Sequence, residues 1–175
     1  MHVDILDTQR LVATGDHCAF TSICKWRDNW YLAHRAAPSH DILPTGNIRI
    51  SVAWANQKHT INWEVDYTYI THPVGDVRDP RLIPSTDALY MMCGVYMPQY
   101  GQMLSDDSSA NIIQTMITFT TDGWHWAPLR HLLRPNVWGW STIEAPRCFL
   151  TAAYRCGARN ETHSIELYGG ASPLE

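Results

Sequence analysis

Charge is scarce in this chain of 175 residues: Asp, Glu, Lys and Arg together make up 17%, where globular proteins average about a quarter. The net charge is −4 and no basic stripe appears, which sets nucleic acid aside as a partner. Long apolar runs are also missing. None approaches the about 20 residues that a membrane-crossing helix needs, so no membrane role is expected. The opening Met1-His2-Val3-Asp4-Ile5-Leu6-Asp7 has neither the basic nor the apolar region of a secretory leader, and a cytosolic compartment is the expectation. The five cysteines (Cys18, Cys24, Cys93, Cys148, Cys156) include no Cys-x-x-Cys pair. Cys24, Cys93 and Cys148 fall in apolar runs, where a reduced cysteine serves as a small hydrophobe. The nine histidines show neither His-x-His nor His-Glu-x-x-His spacing, so no metal site and no cofactor are called for. Helical periodicity is absent too. Ala110 to Phe119 is the best candidate, but its β-branched Ile112, Ile113, Thr115, Ile117 and Thr118 favour a strand.

What is present is apolar and aromatic: 45% hydrophobic residues, with 8 Trp and 8 Tyr. No Ser/Gly-rich linker divides the chain, so one domain, 1–175, is expected. Within it Trp30-Tyr31-Leu32-Ala33, Leu89-Tyr90-Met91-Met92 and Phe149-Leu150-Thr151-Ala152 recur at spacings of 59 and 60. Each follows a turn cluster (Arg27-Asp28-Asn29, Pro84-Ser85-Thr86-Asp87, Ala145-Pro146-Arg147), and each cluster follows a short apolar run. Every unit therefore opens with a β-hairpin. Third strands are predicted over 48–54, 112–120 and 164–168, and Trp63 and Trp126 precede a fourth stretch in the first two units. Four short antiparallel strands per repeat make the blade of a β-propeller. The reading is all-β: an N-terminal strand in 1–15, blade one over 16–70, blade two over 71–134 and a partial blade three over 135–175.

Thr120-Thr121-Asp122-Gly123-Trp124-His125-Trp126 resembles a shortened Asp box of the sialidase (neuraminidase) superfamily. In such a turn the Asp can cap backbone N–H groups, Gly takes the positive-φ position and Trp packs into the blade. Trp54, Trp63, Trp124 and Trp126 are accordingly expected in the core. His17-Cys18-Ala19-Phe20-Thr21, Trp30 to Arg35 with His40, Asp76 to Leu82 and Trp138-Gly139-Trp140 extend the resemblance over nearly the whole chain. It implies a sialidase-like propeller, of which three blades are half of a six-bladed ring.

The repeat aligns His17, Asp76 and Asn136 just before the innermost strands, then Ala19, Arg78 and Trp138, then Phe20, Asp79 and Gly139. A ring of His17, Asp76, Arg78, Asp79 and Trp138 makes a polar, carbohydrate-sized mouth, with Trp140 and His40 nearby. An aromatic there can stack on a sugar, and an arginine can hold a carboxylate through two hydrogen bonds. The sialidase resemblance implies that Arg35 and Arg78 bind an acidic sugar and that Asp79 or Asp41 does the acid/base work. One family arginine is missing, since Ala19-Phe20-Thr21 stands where the family has Arg-Ile-Pro, and the nucleophile pair belongs to later blades. Arg78-Asp79-Pro80 also resembles five-bladed glycoside hydrolases of the β-fructosidase and arabinanase type. Those use an Asp on this strand beside an oxocarbenium-like transition state and a Glu in the next blade. Glu144 is the candidate there, although the repeat puts it in a hairpin turn. Rival readings make Arg78 and Asp79 a buried ion pair between blades, and His17 and His40 structural.

Function is thus expected to be that of a carbohydrate-active, sialidase-like glycoside hydrolase acting on a terminal sugar. The alternative is an inactive glycan-binding or assembly module. Three blades leave hydrophobic edges open. Either the chain belongs to a protein about twice as long, or two copies form a homodimer that completes the propeller by exchanging N-terminal strands.

Overall fold

The computed structural model describes residues 11, 15–54, 68–156 and 164–174. Its strands form three antiparallel sheets in chain order. The first holds β1 (His17–Trp26), β2 (Asn29–Ala37), β3 (Asn47–Trp54) and β4 (Thr68–Ile70). The second holds β5 (Asp76–Pro84), β6 (Leu89–Pro98), β7 (Asn111–Thr120) and β8 (Arg130–His131). The third holds β9 (Val137–Ala145), β10 (Cys148–Arg155) and β11 (Ile165–Gly170), with no fourth strand among the described residues. The segment 111–120 is a strand, as its β-branching dictates. Of the N-terminal strand expected within 1–15, as Val3 to Ile5 or Leu11 to Val12, only Leu11 and Gly15 are described, and the tryptophan at position 63 lies outside the described residues.

Neighbouring blades meet through equivalent positions. Leu82 N donates to Ser22 Oγ (3.0 Å), 60 residues away, and Trp26 Nε1 to the Ser85 carbonyl (2.7 Å), 59 away. Arg81 Nε reaches the Trp140 carbonyl (3.0 Å), again 59 residues on. Each sheet lays one face on the first strand of the next: β1, β2 and β3 contact β5, while β5, β6 and β7 contact β9. One operation relates blade to blade twice over, so the architecture is a partial β-propeller with β1, β5 and β9 innermost. Its main core lies between sheets one and two, where Tyr31, Ile48, Ile50 and Val52 meet Val77, Leu89, Met91 and Val95. Each such side chain contributes about 1.5–3 kcal/mol by leaving water.

Two tryptophans depart from expectation. Trp54 is 47% exposed and Trp124 is 39% exposed. Trp54 ends β3 opposite Asn29 at the β1–β2 turn, so it stands on the rim. Trp124 sits on the turn itself, and Trp26, Tyr31 and Trp126 supply the aromatic packing instead. In that turn Asp122 Oδ1 accepts from Trp124 N (2.8 Å) and His125 N (2.8 Å), while Gly123 has φ +89°. A Cβ on Gly123 would lie 2.1 Å from the Tyr31 hydroxyl of blade one, so glycine is required twice over. A further difference falls at Gly169-Gly170. The strand predicted over 164–168 runs further, since both residues continue β11, paired with Leu150 and Phe149.

The innermost strands share a feature that their sequences hide. Each carries one extra residue relative to its partner: between Ala19 and Ser22, between Arg78 and Arg81, and between Gly139 and Ser141. These are β-bulges at equivalent places, which bend the strand and re-aim its side chains. In two of them a non-glycine residue adopts positive φ: Phe20 at 55° and Asp79 at 52°.

Candidate functional site

Asp76 and Arg78 lie two apart on β5 and so share a face, opposite Tyr96 and Gly94 of β6. The Asp76 carboxylate is wholly buried and gathers donors on both oxygens. Oδ1 accepts from Gly46 N (2.7 Å) and Arg35 Nη2 (2.8 Å). Oδ2 accepts from Arg78 Nε (2.7 Å) and pairs with its Nη2 (2.5 Å). Gly46 can come this close because it has no side chain; a Cβ would be 2.8 Å from Arg35 Nε. Arg35 also donates to the carbonyls of Ser39 (2.9 Å) and Asp41 (2.7 Å), and Arg78 reaches the Asp41 carbonyl at 3.3 Å. One carboxylate thus holds two guanidiniums and, through them, the loop between β2 and β3. Since Arg35 belongs to blade one and Asp76 to blade two, this cluster joins the blades.

Asp79, on the bulge, is in a different state. It is 7% exposed, its Oδ1 has no hydrogen-bond partner, and its backbone is in the left-handed region. Burial raises its pKa above the usual 3.8, against the opposing pull of Arg81, Arg78, Arg35 and His40. Desolvation therefore outweighs four cationic or potentially cationic neighbours. The ion pair of Arg78 is with Asp76 and not with Asp79. Asp79 is thus a desolvated carboxylate on the inner strand, with a left-handed backbone and a buried oxygen that no protein group reaches.

Aromatic rings surround the Arg78 guanidinium. It lies 5.0 Å from the Tyr96 ring and 5.8 Å from that of Phe20. His40 is exposed, 5.4 Å from Phe20 and edge-on to His17 at 5.5 Å. His17 is half-buried with Nδ1 unpartnered. Trp138 is buried over Gly94, where a Cβ would come within 2.3 Å of its ring, and it packs on Tyr96 at 5.4 Å.

The fold therefore brings Asp76, Arg78, Arg35 and the Asp41 carbonyl together, with His17, His40 and Trp138 around them through Phe20 and Tyr96. It places the others elsewhere. The Asp41 carboxylate is exposed and accepts from Ser39 Oγ (3.0 Å). Trp140 is 49% exposed beneath Arg81 (4.9 Å) and beside Tyr154 (6.2 Å), on the open side of blade three. Glu144 is exposed at the end of β9, opposite Phe149. Residue-by-residue reading missed Tyr96 and Gly46. The hairpin register that aligns Arg78 with Gly94 also sets Tyr96 opposite Asp76, so that signal was present. Gly46 carried none, since its role depends on where Arg35 folds.

No known family model matches the chain, and no curated protein matches it in sequence. In three dimensions it is similar to the Bombyx mori glycoside hydrolase family 32 β-fructofuranosidase BmSUC1, with TM-score 0.59 and 14% identity. That match covers 91% of this chain and 35% of the enzyme. A glycoside hydrolase family 32 structure from Bifidobacterium adolescentis matches with TM-score 0.55 and 12% identity, over 83% of this chain and 28% of the other. The chain thus spans about a third of the length of these structures. At such identities the likeness establishes a shared propeller fold; it lends no support to a sialidase specificity.

Proposed function

We propose that this unit belongs to a carbohydrate-active propeller and that Asp79 faces a neutral terminal sugar. The observation that carries the reading is the state of Asp79: buried, desolvated, backbone-strained and with one oxygen awaiting a donor. A sugar hydroxyl is such a donor, and positive charge developing at an anomeric carbon is a partner for the same group. The arginines argue for a neutral sugar over an acidic one, because their guanidiniums already direct donors to Asp76 and to the Asp41 carbonyl. The structural likeness to β-fructofuranosidases makes a β-fructofuranoside the first ligand to try.

A second reading, binding without hydrolysis, rests on a specific observation. Glycoside hydrolysis generally needs two carboxylates about 5–9.5 Å apart across the bond. Asp76 is saturated, the Asp41 carboxylate turns to Ser39, and Glu144 sits at the hairpin end. The test is a panel of fluorogenic glycosides with parallel calorimetric titration of the free sugars, including a β-fructofuranoside and an α-sialoside. The reading expects a neutral sugar to be bound or cleaved, with at least about tenfold loss in Asp79→Asn. Turnover selects hydrolysis, and binding alone selects the second reading. Silence toward every neutral sugar, or an unaffected Asp79→Asn, overturns both.

A further inference from the structure

Four side chains meet in one continuous row that crosses the three blades. The Arg78 guanidinium lies 5.8 Å from the Phe20 ring on one side and 5.0 Å from the Tyr96 ring on the other, and Tyr96 lies 5.4 Å from the ring of Trp138. The row runs from β1 of blade one, through β5 and β6 of blade two, to β9 of blade three. Two of its members are fixed from outside it. Asp76 and the Asp41 carbonyl accept from Arg78, and Trp138 fills the space that Gly94 leaves, since a Cβ there would come within 2.3 Å of the indole. With a fixed guanidinium and a fixed indole against it, the Tyr96 ring is held by cation–π and aromatic contact.

What the row leaves over is the Tyr96 hydroxyl. The residue is half-buried, and among the described residues no protein group hydrogen-bonds that oxygen. Burial raises the pKa of the phenol above 10.0; Arg78 opposes the rise, while Cys156, Asp79 and Asp76 add to it. The group therefore keeps its proton across the neutral range, and a phenol hydroxyl both donates and accepts. We infer that Tyr96 is a specificity-determining residue, its hydroxyl reading one hydroxyl of the sugar that Asp79 faces. This inference rests on the sugar reading above, in which Asp79 supplies the first contact and Tyr96 adds a second. A site built to hydrogen-bond a ligand hydroxyl rejects the analogue that lacks it, whereas a ring that only stacks tolerates the loss.

The test is calorimetric titration of the full chain, as wild type, Tyr96→Phe and Asp79→Asn. The probes are methyl β-fructofuranoside, methyl α-glucoside and methyl α-galactoside, each beside its monodeoxy analogues. Tyr96→Phe keeps the ring against Arg78 and Trp138, so its unfolding midpoint should stay that of the wild type. It should bind the parent glycoside about fivefold more weakly, the loss of one neutral hydrogen bond. The monodeoxy analogue that wild type disfavours by a similar factor should bind Tyr96→Phe as well as the parent does. Unchanged affinity in Tyr96→Phe, or unchanged discrimination among the analogues, overturns the inference; if Asp79→Asn still loses binding, the sugar reading survives it. A lowered midpoint with every analogue weakened alike makes the hydroxyl structural and overturns the inference too. Failure of the wild type to bind any of the three glycosides overturns the inference and the sugar reading together.

Discussion

Asp76 and Asp79 are three positions apart on one strand and both buried, yet their surroundings give them opposite consequences. Asp76 is matched by two guanidiniums and an amide, so removing a partner strands charge in the interior. Arg35→Ala is expected to destabilise the chain by about 3–5 kcal/mol, as breaking a buried ion pair does, read from the denaturant midpoint. Asp79 is the reverse case. With its pKa raised above 3.8 by burial, the folded chain holds a proton that the unfolded chain has released. Its contribution therefore favours folding most below about pH 3.8 and is lost as pH rises through the raised value. Asp122 has the opposite sign. Hydrogen bonds from the His125 and Trp124 amides and the His125 ring hold its carboxyl well below the usual range. What it contributes is present above about pH 3.8 and is lost as pH falls toward its folded value. The repeat spacing disclosed that Asp76, Arg78 and Asp79 lie on an inner strand. It did not disclose which carboxylate the arginines choose, because that depends on Arg35 arriving from another blade, 41 positions away.

At the scale of single elements, the hairpins were legible because turn residues and apolar runs repeat at 59 and 60, and strands formed where they did. The bulges were not. Phe20-Thr21, Asp79-Pro80 and Gly139-Trp140 have no chemistry in common, and the extra residue shows only in the pairing register. The Asp122 turn was legible in its capping and its glycine. The side on which Trp124 would fall was not, because the turn's packing on blade one decides it. Arg27 of blade one donates to the Thr121 carbonyl at 2.9 Å, and Tyr31 closes over Gly123. Gly123→Ala should therefore cost more than the about 1–2 kcal/mol of left-handed backbone alone, because its methyl also meets the Tyr31 hydroxyl. Thermal denaturation of that variant, with Tyr31→Phe,Gly123→Ala beside it, separates the two contributions. The double variant should recover part of the loss by removing the hydroxyl.

For the whole molecule, three blades follow one another by a single packing rule, and that rule was foreshadowed by the repeat length. Six-fold closure was read from the sialidase-like turn, while two solved structures similar to the chain are family 32 glycoside hydrolases. The number of blades in a finished ring is set by the angle between blades, which no local sequence signal records. Burial of the blade interfaces is what the sequence encodes most strongly. Met91→Ala, in the core between sheets one and two, should lose about 2–5 kcal/mol and lower the unfolding midpoint as one cooperative transition.

The division of labour on β5 is tested most directly by thermal unfolding of Asp76→Asn and Asp79→Asn beside the wild type at pH 7. A scaffold carboxylate and one held for function predict opposite shifts, a fall in midpoint for Asp76→Asn and a rise for Asp79→Asn. The rise should shrink as pH approaches 3.8, where the native carboxyl keeps its proton more readily. A fall for Asp79→Asn, matching that of Asp76→Asn, would make both aspartates structural and contradict the role proposed for Asp79.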